Sequence, residues 1–288
     1  MSDPVRLPLQ KERRRGRGRP SHASSCLPED ASSSLSSNGE LLVHEDGEAL
    51  LALERLEGVW RRFTATVASP FQTYTWNHAW YCTYATGQVR PVIFEWRRGD
   101  ETAAILPCYR EGKTLRLAAD RICDYQDVIA GDGGAVADLL AAVLGWIHRQ
   151  GSGGHCRFEK LSSEGMLYRR LHETDGQPGN SRCFEKSYAP CPYTDLRGGL
   201  AGYLAGLPRK LRQDFRHSLN RLEREAPDAR ITILRDYEIR VDDLWNAASF
   251  QIGHFRKEGA SPFADHRLMD LLGRVAKRAL GREDGLPR

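Results

Sequence analysis

Between residues 91 and 118 three strand-like runs follow one another at hairpin spacing: Pro91–Trp96, Thr102–Tyr109 and Thr114–Ala118. The segments between them, RRGD and REGK, each contain a glycine and are too short for anything but a tight turn. Runs joined this way pair as antiparallel neighbours, so the chain is expected to carry a β-meander. Val92, Phe94 and Trp96 alternate with Ile93 and Glu95, which predicts a half-buried strand.

Helical patterns flank the meander. Leu50, Leu53, Val59, Trp60 and Phe63 predict a helix over Leu41–Thr66. In the aromatic segment FQTYTWNHAWYCTY, Trp76, Trp80 and Tyr84 recur every four residues, as one helix face does. After the meander, DYQDVIA (124–130) predicts a short strand, and GDGG leads into a helix over 135–150. A strand at His155–Leu161, a helix near Gly165–His172 and a strand near Arg182–Tyr188 are expected next. This order predicts an α/β fold of the mixed α+β kind rather than strict βαβ alternation. Beyond Pro190 and Pro192, Tyr203–Glu225 is a basic amphipathic helix with Leu207, Leu211, Phe215, Leu219 and Leu222 on one stripe. A strand (Ala229–Leu234), a helix (Val241–Lys257) and a helix from Ser261-Pro262 through Leu280 are predicted after it.

Composition narrows the function classes. Hydrophobic residues at 40% supply a core, and a net charge of +4 over 288 residues is too small for a whole-molecule nucleic-acid field. Residues 1–40 hold seven basic and five acidic residues in a Ser- and Gly-rich arm with little to bury, so disorder is expected there. Arg17-Gly18-Arg19-Pro20 within it looks like an AT-hook core; the competing reading is a solvated basic tail, and no nucleic-acid partner is expected. The longest nearly apolar run, Ala135–Ile147, is too short to span a bilayer. Seven scattered cysteines never form CxxC, as expected in a reducing compartment, the cytoplasm, with no metal site.

Few segments carry recognisable chemistry. GDGG (131–134) sits between strand and helix, where backbone N–H groups can cradle a phosphate; it is neither G-x-G-x-x-G nor a P-loop, and an ordinary turn competes. Asp124, Tyr125 and Asp127 place two carboxylates and a phenol at a strand start, either as acceptor contacts or as turn and capping residues. If that segment alternates, Asp124 and Gln126 face one side, Tyr125 and Asp127 the other. The nine histidines show no metal-binding or hydrolase grouping. Trp76 and Trp80 suit a core stripe better than a sugar platform. The basic helix either binds phosphates or is a solvated face with pairs such as Lys210–Asp214 and Arg221–Glu225.

Taken together, these strings resemble the CelD-like (cellulose-biosynthesis-associated) acyltransferases of the GNAT superfamily, relatives of the Fem-type aminoacyl transferases. The F-Q-x-x-x-W-x-x-x-W opening is matched by Phe71, Gln72, Trp76 and Trp80, and the L-P strand by Leu106 and Pro107. Asp124, Tyr125 and Asp127 match a D-Y-x-D segment, and Lys210, Arg212 and Arg216 a K-x-R-x-x-x-R helix. The resemblance covers about residues 50–280. It implies two GNAT-like units, 41–192 and 193–288, behind the arm at 1–40. It also implies transfer of an acyl group, such as acetyl, from acyl-coenzyme A to an amine or hydroxyl in exopolysaccharide or cell-envelope metabolism. Asp124, Tyr125 and Asp127 are then acceptor-side contacts, and Lys210, Arg212 and Arg216 contacts to the anionic co-substrate, with no catalytic base assigned. Strands, a coenzyme loop and a helix are implied after about Leu280, so the second unit is expected to be incomplete. The alternative is an inactive GNAT-scaffold binding module, or a fragment, engaging an anionic partner.

Overall fold

The turn glycines set the sheet. Gly99 and Gly112 adopt φ values of +60° and +59° at the first positions of two-residue turns, a conformation that costs a residue without Cβ little. They join β2 (Val89–Arg98), β3 (Glu101–Glu111) and β4 (Thr114–Leu117) as the expected meander. The computed structural model describes residues 39–65, 69–150, 154–173, 184–186, 194, 196–230, 232–234, 238–255, 263 and 265–280. All fall within one compact unit, Ser37–Arg288. The AT-hook-like tetrapeptide and the expected boundary at 192/193 lie outside the described residues.

The fold is mixed α+β, with eight α-helices and a six-stranded mixed sheet among the described residues. β1 (Gly39–Glu45) adds antiparallel to β2, and α1 (Asp46–Thr64) follows it. This corrects the single helix expected from Leu41: Leu41–Glu45 lie before the periodic apolar residues, which begin at Leu50, and they pair with Val92–Trp96 as a strand. A 3₁₀ turn (Pro70–Gln72) leads into α2 (Tyr74–Tyr84), whose first turn is capped by the Thr73 hydroxyl accepting from Trp76 N–H.

β3 changes partner halfway along the edge that β4 occupies. Its Cys108–Glu111 segment pairs with β4, whereas Ala104 and Ile105 pair with the two-residue β5 (Ile129–Ala130). Between these stretches lies Pro107, which has no N–H to give to a ladder but accepts from Ala118 N–H through its carbonyl at 2.9 Å. α3 (Gly133–Arg149) then crosses over to β6 (His155–Arg157), parallel to β4, and α4 (Met166–Glu173) follows.

Both faces of the sheet are covered. Val92, Phe94, Trp96, Leu106 and Cys108 pack under α3 and α4, whereas Ile93, Ile105 and Tyr109 pack under α1 and α2. β2 is therefore buried on both sides, not half-buried as its alternation suggested; even Glu95 is sealed. α8 (His266–Leu280) lays Leu271, Leu272 and Val275 into the α1–α2 layer, so a distant segment completes that core.

The predicted helix over Tyr203–Glu225 is two helices, α5 (Gly199–Gly206) and α6 (Arg209–Glu225), because Pro208 cannot donate within a helix. α7 (Val241–Phe255) precedes α8. The strand expected at 229–234 is not formed by its described residues, nor is that at 182–188 by residues 184–186. Among the described residues no helix is long and apolar enough to cross a membrane.

Candidate functional site

The segments that carried the sequence motifs converge where β3 changes partner. Phe71 and Gln72 from the 3₁₀ turn, Asn77 from α2, Pro107 from β3, and Gln126 and Asp127 line a small cavity of about 10 Å³. Gln72, Asp127 and Ile129 also border a larger cleft of about 180 Å³, whose other walls are Phe63, Thr64, Val128, Ala130 and Met166. The cleft runs along β5 and the two residues before it, between the C-terminal end of α1 and the start of α4.

Each wall is fixed by specific bonds. Trp60 Nε1 donates to Gln72 O at 2.9 Å, tying α1 to the 3₁₀ turn. Asn77 Nδ2 donates to the Phe71 and Thr73 carbonyls, both at 3.0 Å. Trp76 Nε1 points at Cys123 Sγ, 2.8 Å away. The aromatic segment therefore builds a wall and a core stripe together, with Trp80 stacked on Tyr84 and buried.

The DYQD segment does not alternate as a strand. Tyr125 has φ +55°, in the left-handed region, and its ring is 49% exposed; Lys160, facing it across the Gln126–Leu161 bridge, has the same φ. Gln126 turns inward, donating to Ala118 O at 2.5 Å, while its backbone N–H donates to Lys160 O at 3.1 Å. Asp124 is exposed and pairs with Lys160 Nζ at 3.3 Å. Asp124 and Tyr125 are thus available on the surface, and Asp127 is separated from them by the buried Gln126.

Asp127 is a helix cap supplied from a distance. Its carboxylate accepts from Met166 N–H at 2.8 Å and Leu167 N–H at 2.7 Å, opening α4, and from Val128 N–H at 2.9 Å. A Cβ at Gly165 would stand 2.9 Å from Oδ2, so a glycine there lets the carboxylate approach. The GDGG turn is used similarly. Asp132 caps α3 by accepting from Ala135 N–H at 2.8 Å, and Arg98 bridges Asp132 and Asp138 at 3.1 and 3.2 Å. At this turn Asp132 already accepts from one N–H, Asp138 is close by, and Arg98 and Arg170 lie beside the glycines.

On α6, the three basic positions differ. Arg212 donates to the carbonyls of Ala205 and Leu207 at 3.1 and 2.7 Å, closing the end of α5, whereas Lys210 and Arg216 are exposed.

Two charged clusters join residues distant in the sequence. Fully buried Glu95 receives Arg55 at 2.5 Å, Thr102 at 2.6 Å and His44 at 3.0 Å, gathering β1, β2, β3 and α1. Burial pushes its carboxyl upward, but the hydrogen bonds from His44, Arg55 and Thr102 outweigh burial and hold it at about 2. The second cluster joins α1, α2 and α8. His78 meets Glu54 at 2.8 Å, and Arg278 reaches His78 at 3.2 Å and Glu57 at 3.1 Å. Cys82 Sγ lies 3.8 and 3.9 Å from the two imidazole nitrogens, against the ring rather than in line with one, and burial raises its thiol pKa. That geometry docks a helix and does not activate a nucleophile. The one hint was the spacing of His78 and Cys82, one helical turn apart.

Comparison with family models, curated proteins and solved structures finds no match. Among the described residues no three His, Cys, Asp or Glu side chains are placed to share a metal ion.

Proposed function

We propose that this chain is a CelD-like, GNAT-type acyltransferase that moves an acyl group, such as acetyl, from acyl-coenzyme A to an amine or hydroxyl of a saccharide or cell-envelope acceptor. The observation that carries the reading is the convergence of three motif segments, separated in sequence: Phe71 and Gln72, Pro107, and Asp127 border one small cavity, and Gln72 and Asp127 also border the adjoining cleft. In such a transfer the acceptor's nitrogen or oxygen bonds to the thioester carbonyl carbon, the C–S bond breaks, and the thiol leaves with the acceptor's proton. Tyr125 and Asp124, exposed beside the cleft-lining Asp127, are the proposed acceptor contacts. Lys210 and Arg216, exposed on the basic helix, are the proposed contacts to co-substrate phosphate. The proposed compartment is the cytoplasm, in keeping with the free thiols of Cys82, Cys108, Cys123 and Cys156.

One observation favours the second reading, a GNAT-type scaffold that binds an anionic partner without catalysis. The N-termini of α3 and α4 are both filled by carboxylates of the same chain. Titration of acetyl-coenzyme A against thermal stability separates the readings. A co-substrate site gives a saturable rise, worth about 2.7 kcal/mol at a hundred times Kd, and Lys210→Ala/Arg216→Ala moves the curve to higher ligand. An unchanged melting temperature at millimolar ligand rejects the acyltransferase reading for this chain.

A further inference from the structure

Helix α6 exposes an apolar stripe that the described structure leaves uncovered. None of its 17 residues is buried, and Leu211, Phe215, Leu219 and Leu222 are 36–50% exposed along one face. Leu200 and Tyr203 of the preceding α5, whose C-terminal end Arg212 ties to α6, are likewise exposed. α8, of similar amphipathic pattern, buries Leu268, Met269 and Leu271 instead. An exposed stripe three turns long calls for an occupant.

The charges beside the stripe identify one. They are antisymmetric about the middle of the helix, between His217 and Ser218. Lys210 mirrors Glu225, Arg212 mirrors Glu223, and Asp214 mirrors Arg221, a basic residue opposite an acidic one each time. Arg209, Arg216 and Arg224 mirror the uncharged Ala226, Leu219 and Leu211, so the same operation creates no like-charged pair. The apolar stripe is centred within about one residue of that midpoint. A two-fold axis through the middle of α6 would therefore place apolar stripe on apolar stripe and set Asp214 and Glu225 beside Arg221 and Lys210 of the second copy, each contact occurring twice, while Glu223 would face Arg212, whose guanidinium already holds the α5 carbonyls.

We propose that α6 is the docking surface for a second copy of this chain, the two α6 helices lying antiparallel across a two-fold axis. An anionic lipid surface suits the helix less well, because Asp214, Glu223 and Glu225 stand beside the apolar stripe, where a membrane-bound helix carries lysine and arginine. The intrahelical Arg221–Glu225 contact at 2.8 Å is exposed and weak enough to exchange for Asp214 of the second copy. A single helix about 25 Å long gives a modest interface, so association in the micromolar range is expected. The interface pairs Lys210 with Glu225 of the second copy and so competes for a side chain that the acyl-transfer reading gives to co-substrate; association is read by sedimentation without ligand, so failure of one reading leaves the other testable.

The test is sedimentation equilibrium of the full chain from micromolar to submillimolar concentration. The wild type is expected to dimerise. Asp214→Arg sets arginine against Arg221 twice, and Arg221→Asp sets aspartate against Asp214 twice, so each variant alone should self-associate about tenfold more weakly. Mixed in equal amounts, the two variants restore opposite charges and should form heterodimers of near wild-type affinity. Both positions are exposed, and circular dichroism checks that helix content is unchanged. A wild type monomeric throughout, or a mixture associating no better than its components, overturns the proposal.

Discussion

Replacing Glu95 by Gln leaves a side chain of the same shape that resembles the protonated acid, and so isolates what the buried charge contributes. In the native protein its carboxyl titrates at about 2 instead of the ordinary 4.5. That difference corresponds to about 3 kcal/mol favouring the folded state at neutral pH, at 1.36 kcal/mol per pKa unit. Arg55 is half exposed, which discounts its share by solvent screening, but Glu95 itself is wholly sealed. The group is depressed on folding, so its contribution is complete above pH 4.5 and is lost as pH falls from there towards 2. About 2 kcal/mol of it is gone at pH 3. Urea denaturation followed by far-UV circular dichroism at pH 7 and pH 3, on wild type and Glu95→Gln, reads both quantities. The variant should be about 3 kcal/mol less stable at pH 7, the gap narrowing to about 1 kcal/mol at pH 3. Equal stabilities at pH 7, or a gap independent of pH, would refute the reasoning. The same cluster ties β1 to α1, so Glu95→Gln should also loosen the α1 end at Phe63 and Thr64 that borders the cleft.

Asp127→Ala removes the acceptor of three backbone N–H groups and should cost about 2 kcal/mol, with amide exchange of Met166 and Leu167 accelerating before that of α3. Uniform acceleration would show that no local cap was lost. Tyr125→Gly relieves a left-handed backbone and should raise stability by about 1 kcal/mol in the same urea assay, while acyl transfer falls if the phenol holds acceptor. Lower stability would mean that the ring's contacts outweigh the strain. Alkylation with peptide mapping should label Cys82 first among the four described thiols. Burial pushes Cys123 and Cys156 up to about 12, and Cys108 is sealed, so these three should wait for unfolding; early labelling of Cys123 contradicts the packing around Trp76.

The parts of the fold legible in the sequence are those fixed by neighbours. Gly99 and Gly112 mark their turns because positive φ is required there, and the apolar periodicity of α3 and α8 survives in the structure. Leu41–Glu45 lie just before a helical repeat that begins at Leu50, and only pairing with β2 makes them a strand. Pro208 did announce the break between α5 and α6, but the continuous stripe masked it. The candidate site was legible as segments, not as roles. That Asp127 caps a helix 40 residues onward, or that His44, Arg55 and Thr102 gather on Glu95, depends on how distant elements pack, and no local pattern encodes it.

α8 closes the α1–α2 layer from far along the chain: Thr83 and Asp270, in contact across that seam, are 187 residues apart. A ribosome adding 5–20 residues per second takes roughly 10–40 s to cover that distance. For that interval the newly made α1 and α2 lack the surface that Leu271, Leu272 and Val275 will occupy. The apolar seam on these helices thus faces chaperones and neighbouring nascent chains before it meets its own partner, and translation speed between the two segments becomes a determinant of yield.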